Sequence, residues 1–175
     1  MTEQEQIKTL LESFFFLFRE SFTPASEELI AEFQSQASKR SIPDSVVEQL
    51  VDFYKFTNGV PNLDGFTFHR CDDKNLFAWW SEKEEFFLGY RDSDVLRWKN
   101  NRFCLGNASR ISYSADYEFS TLSELLDKSL EKWYLGTWKK FMDSHNELDL
   151  RSDKLINKLE RDKVQFSTEG QNASR

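Results

Sequence analysis

Phe86-Phe87-Leu88-Gly89-Tyr90, Val95-Leu96-Arg97-Trp98-Lys99 and Arg102-Phe103-Cys104-Leu105 follow one another with only Arg91-Asp92-Ser93-Asp94 and Asn100-Asn101 between them. Each run is short, rich in aromatic and branched residues, and bounded by turn formers, which is the pattern of a strand. Such brief connections leave no room for parallel crossovers, so neighbouring runs are expected to pair antiparallel. Asn100-Asn101 tolerates the positive φ that a two-residue hairpin demands. Working outward, Phe66 to Arg70 and Ile111 to Ser114 read as further strands, and Leu76 to Trp80 as either a strand or a helical turn. Pro61 to Gly65, Cys71 to Asn75, Ser81 to Glu85 and Asn107 to Arg110 read as turns. One antiparallel sheet is expected, its strands lying between about residues 66 and 119.

On both sides of this region the period changes from two to about 3.6 residues. Ile7, Leu10, Leu11, Phe14, Phe15, Phe18 and Phe22 form the apolar stripe of a first helix. Thr23 as N-cap with Pro24 at the first helical position predicts a second, striped by Leu29, Ile30, Phe33 and Ala37. A third opens at Pro43, carries Val47, Leu50, Val51 and Tyr54, and is expected to stop at Asn58-Gly59. Thr121 and Glu124 form a capping box ahead of Leu122, Leu125, Leu126, Leu130 and Trp133. The fold class is therefore α+β, a single antiparallel sheet flanked by N-terminal and C-terminal helices. The chain divides into an N-terminal helical extension packed on the domain (1–40), an α+β domain (41–142) and a helical, charged tail (143–175).

The chain has 175 residues, and its 17 Phe, 5 Trp and 5 Tyr supply ample area for a core without disulfides or metal. A formal net charge of −7 disfavours a phosphate-coating surface and favours a basic partner. Cys71 and Cys104 are too few for a disulfide framework and read as reduced and buried. Phe14 to Phe18 is too short to span a bilayer and follows an acidic start, so neither a signal peptide nor a membrane span is expected and the cytoplasm is the default.

Chemistry-bearing clusters are sparse. His69, Cys71 and Asp72 lie close together, and His69 with Cys71 on one strand face would suit a metal or a Cys-His nucleophile pair. Zinc needs three or four ligands, and no second Cys or His pair exists, so no metal, cofactor or catalytic residue is expected. Phosphate loops, nucleophile elbows and zinc-hydrolase His pairs are absent from the sequence. A hydrolase using His69 and the acidic strand ends lacks a complete site. Seven acids, Asp72, Asp73, Glu82, Glu84, Glu85, Asp92 and Asp94, lie between residues 72 and 94 against Lys74, Lys83 and Arg91. They occupy turns that join aromatic strands, so they are expected to form an exposed, partner-facing rim. Trp79 and Trp80 would face opposite ways if extended, and Trp80 is taken as the aromatic anchor beside that rim.

The middle of the chain, from about Ile42 to Trp133, resembles the SUKH superfamily, which groups fungal cell-wall (glucan) synthesis regulators with many bacterial immunity proteins. The resemblance is carried by Ile42-Pro43-Asp44 opening a helix that closes at Phe56-Thr57-Asn58-Gly59. It continues in Leu63-Asp64-Gly65-Phe66-Thr67-Phe68-His69, Trp79-Trp80, Phe87-Leu88-Gly89, Leu96-Arg97-Trp98 and Phe103-Cys104-Leu105-Gly106. Phe119-Ser120-Thr121-Leu122-Ser123-Glu124-Leu125-Leu126 is similar to the family's final strand-to-helix step. The resemblance implies a SUKH-like α+β domain without a catalytic site: a bacterial immunity protein that neutralises a secreted toxin, for example a nuclease, by direct binding. The alternative it implies is a regulatory scaffold of cell-wall or glucan synthesis.

Overall fold

The computed structural model describes residues 1–80, 84–107 and 117–133. Helix α1 (Glu3–Phe18) is opened by a capping box: the Thr2 hydroxyl accepts from the Glu5 N–H, and the Glu5 carboxylate accepts from the Thr2 N–H at 2.7 Å. Helix α2 (Glu27–Lys39) begins at Ser26, whose hydroxyl accepts from the Leu29 N–H at 3.3 Å. This corrects the expected Thr23 cap. Residues 23–25 instead bind the C-terminal end of the neighbouring helix: Asn58 N–H donates to Thr23 O (2.7 Å) and Ala25 N–H to Tyr54 O (2.9 Å).

Helix α3 (Asp44–Phe56) starts after Pro43 and ends in an extended Thr57; the left-handed backbone falls later, on Gly59 (φ 82°). Asn58 acts through its side chain. Its Oδ1 accepts from the buried Cys71 N–H at 2.9 Å, and its Nδ2 donates to Asp72 Oδ1 at 3.3 Å.

Six strands follow: β1 (Val60–Leu63), β2 (Phe66–Phe68), β3 (Phe86–Arg91), β4 (Asp94–Lys99), β5 (Arg102–Asn107) and β6 (Tyr117–Phe119). Each pairs antiparallel with the next, so the sheet order is the chain order. The sheet begins earlier than expected, because Pro61 lies inside β1 rather than in a turn. An edge strand tolerates the missing N–H, and Asp64 (φ 48°) with Gly65 (φ 78°) forms the two-residue turn into β2. Asn100 (φ 50°) and Asn101 (φ 60°) turn β4 into β5 as expected. Lys74–Phe77 is a 3-10 turn, which settles the Leu76 to Trp80 segment as helical at its start. Ile111 to Ser114, and the tail from 143, lie outside the described residues.

Residues opposed across the ladder share a face. One face therefore shows the rows Phe86–Trp98–Phe103–Phe119 and Phe68–Gly89–Leu96–Leu105. These rows share a single core with the buried stripes of α1, α2, α3 and helix α4 (Leu122–Trp133). Phe14 meets Phe66 edge-on at 5.5 Å and Phe53 lies 4.2 Å from Phe68. The first turn of α4 is held from a distance. Glu3 accepts from both the N–H and the hydroxyl of Ser123 at 2.6 Å, and Gln49 Oε1 accepts from the Leu122 N–H at 2.8 Å. A carboxylate at a helix N-terminus satisfies donors that have no partner within the helix. The Thr121–Glu124 capping box is present as expected.

Candidate protein-docking surface

The other face of the sheet carries the rows Phe87–Arg97–Cys104–Glu118 and Thr67–Tyr90–Val95–Gly106. Between Phe87 and Gly89 the register slips by one residue, which makes Leu88 the extra residue of a β-bulge. Leu88 and Gly89 both face the helices, and a Cβ on Gly89 would lie 2.0 Å from the backbone oxygen of Thr67. The bulge turns Tyr90 outward, where it is 39% exposed.

Four rings meet on this face. Trp79, carried there by the 3-10 turn, stacks on Phe87 at 4.3 Å with an interplanar angle of 15°. Tyr90 and His69 both approach Phe87 edge-on, at 4.7 and 4.6 Å. Trp80 does not join them; it packs against the core, 5.6 Å from Phe86 and stacked 6.4 Å from Trp98. The two tryptophans are both partly buried and lie against different faces of the sheet, Trp79 on the ring cluster and Trp80, expected as the anchor, on the core.

The expected acidic rim does not form one surface. Glu85 is 1% exposed, with Arg97 Nη1 2.5 Å from Oε2 and Lys99 Nζ 3.0 Å from Oε1, so it is an internal charge rather than a rim group. The remaining acids divide between the two ends of the strands. Asp72, Asp73 and Glu84 lie where β2 ends and β3 begins, whereas Asp92 and Asp94 lie at the β3–β4 turn. At about 3.3 Å per residue, six-residue β3 keeps these groups about 20 Å apart. Glu82 lies outside the described residues.

At the β2 end each acid has a local task. Asp72 accepts from Arg70 Nε and Nη2 at 2.9 and 3.0 Å, and that bidentate bond lowers its pKa. Asp73 Oδ1 accepts from the Asn75 N–H at 2.8 Å, while Oδ2 lies 3.4 Å from His69 Nδ1. Burial lowers the His69 pKa, with Asp73 opposing that shift. Glu84 is exposed, in a left-handed conformation (φ 54°), with its N–H donating to Trp80 O at 2.9 Å.

His69 and Cys71 do not share a strand face, because β2 ends at Phe68 and the chain then turns. His69 faces Phe87, while Cys71 enters the core on the helix side. Burial pushes both thiols up to about 11, away from the thiolate form that a nucleophile or ligand requires. Among the described residues no group of three or more His, Cys, Asp or Glu side chains is placed to hold a metal ion. Among the same residues no helix is long and apolar enough to cross a membrane. The arrangement offers rigid aromatic surface, fixed carboxylates and backbone turns, which are recognition elements. No protein-family model, curated protein or solved structure matches the chain.

Proposed function

We propose that this chain is a non-catalytic, cytoplasmic protein-binding domain that neutralises a basic toxin domain by covering it, as the resemblance to the SUKH superfamily implies. The observation that carries this reading is the ring cluster Trp79–Phe87–Tyr90–His69, with Tyr90 exposed over buried Phe87 and His69, at the end of the sheet where Asp72, Asp73 and Glu84 lie. Aromatic side chains on a stiff sheet contribute contact area at little cost in conformational entropy, and carboxylates beside them favour and steer a cationic partner. The net charge of −7 acts in the same direction at longer range.

The test is to sequence the genes that flank this one and to co-express any toxin domain found there with this chain, scored by growth rescue and by the affinity of the purified pair. Tyr90→Ala is expected to weaken the complex about tenfold or more, as loss of an interfacial anchor does. Glu84→Lys is expected to slow association chiefly at low salt, with folding stability changed by less than about 0.5 kcal/mol. Full neutralisation by both variants would reject this surface, and failure of the unaltered chain to rescue growth would reject the immunity reading.

A further inference from the structure

A cleft of about 390 Å³ opens between the α1–α2 connection and the β1–β2 edge of the sheet. That volume lies within the range of about 300–1,000 Å³ typical of ligand pockets. Glu20 and Asp73 are carboxylates of its lining, Thr57 and Asn58 are polar members of its wall, and His69 joins it to the aromatic cluster.

Charge on this lining is unbalanced toward the negative. Arg70 also lines the cleft, but its guanidinium is engaged by both oxygens of Asp72. The Glu20 side chain is exposed and makes no hydrogen bond or ion pair among the described residues. His69 is only 7% exposed, and its Nε2 is buried with no hydrogen-bond partner among the described residues. With Nδ1 turned to Asp73, the neutral ring keeps its proton on Nδ1 and leaves Nε2 an acceptor lacking a donor. Two carboxylates and a neutral histidine make a wall of acceptors, and the chemical class that complements it is a cationic donor.

We propose that this cleft receives one lysine or arginine side chain from a loop of the protein partner, held between Glu20 and Asp73 and bordered by the Tyr90–His69 rings. The inference rests on the protein-binding reading and adds the chemistry of the residue that is captured. A side chain seated there adjoins Thr67, directly opposite Tyr90 in the ladder, so the cleft and the aromatic cluster form one continuous surface. An ammonium or guanidinium near those rings gains from their quadrupoles as well as from the carboxylates.

The probes are three tripeptides blocked at both ends, Gly-Arg-Gly, Gly-Lys-Gly and the neutral Gly-citrulline-Gly, titrated into the isotope-labelled full chain and followed by amide chemical shifts. The arginine and lysine peptides are expected to shift the amides of Glu20, Ser21, Asn58, Gly59 and Asp73, and the citrulline peptide to leave them in place. Glu20→Gln, an exposed substitution that keeps the fold, is expected to weaken binding roughly two- to fivefold, the range of an exposed ion pair. Equal shifts from the citrulline peptide, shifts confined to Asp92 and Asp94, or unchanged affinity in Glu20→Gln would each overturn the assignment. Because these probes need no toxin, the outcome is independent of growth rescue. Rescue that survives Glu20→Gln and Asp73→Asn unweakened rejects the cleft alone, and loss of rescue by the unaltered chain rejects the wider reading alone.

Discussion

On the helix-covered face of the sheet the row Phe86–Trp98–Phe103–Phe119 is aromatic from strand to strand, whereas the adjacent row on the opposite face reads Phe87–Arg97–Cys104–Glu118. Both rows hold buried residues, but they are stabilised by different physics. Apolar contact is non-directional and tolerates exchange of one hydrocarbon for another of similar volume. The Glu85–Arg97–Lys99 set depends on charges that compensate one another in a site with little water, so loss of one member strands the others. The first face holds the fold together, and the second combines buried charge with the exposed edges of rings.

The comparison is broken most severely at Glu85. Glu85→Ala is expected to cost about 3–5 kcal/mol, because the buried Arg97 guanidinium loses the Glu85 carboxylate. Phe86→Ala, one residue on, is expected to cost a similar amount, about 3–5 kcal/mol, by leaving a cavity. The two should separate on rescue. The joint change Glu85→Leu with Arg97→Met should recover most of the first loss, and urea unfolding of the three variants measures this. A joint variant no more stable than Glu85→Ala would show that the ion set is irreplaceable.

A smaller effect is expected where the bulge brings two backbones together. Gly89→Ala places a methyl group against the Thr67 carbonyl, and the resulting overpacking should cost about 1–3 kcal/mol. A melting temperature equal to that of the parent would show that β2 yields freely there.

The smallest effect belongs to His69. Its pKa is lowered in the folded state by burial, so the folded chain resists protonation and the unfolded chain takes up the proton first. The His69 contribution is therefore intact well above the unfolded pKa of about 6.5 and declines as pH falls through and below that value. Melting curves of the parent and His69→Gln between pH 8 and pH 5 should converge on acidification. Parallel curves would contradict the assignment.

How much of this was legible in the sequence depends on the range of the interaction. The period of the aromatic runs located β2 to β5, and the Asn100-Asn101 turn followed from what those two residues permit locally. Strand β1 was hidden because Pro61 and Asn62 read as turn residues, and only their position at a sheet edge makes them acceptable in a strand. The Ser26 cap was hidden by the nearer Thr23-Pro24 pair. The burial of Glu85 was not legible, because its partners arrive 12 and 14 residues later in the chain and meet it only through cross-strand register. The same holds for Trp79 and Trp80, whose assignment to opposite sides depends on a 3-10 turn that composition left open. Contiguity of the acids in sequence was a poor guide to contiguity in space, since a strand carried Asp92 and Asp94 to the far end of the sheet.

The extra residue in β3 also uncouples the length of the strand from what it displays. Removing Leu88 alone would restore strict alternation with Gly89 still against the helices and Tyr90 still outward, because their cross-strand partners Leu96 and Val95 already follow Arg97 in unbroken order. A one-codon deletion would thus remove one buried side chain and leave what the strand shows to solvent as it is. Lineages that gain or lose this bulge would keep the same recognition face while the packing beneath it changes.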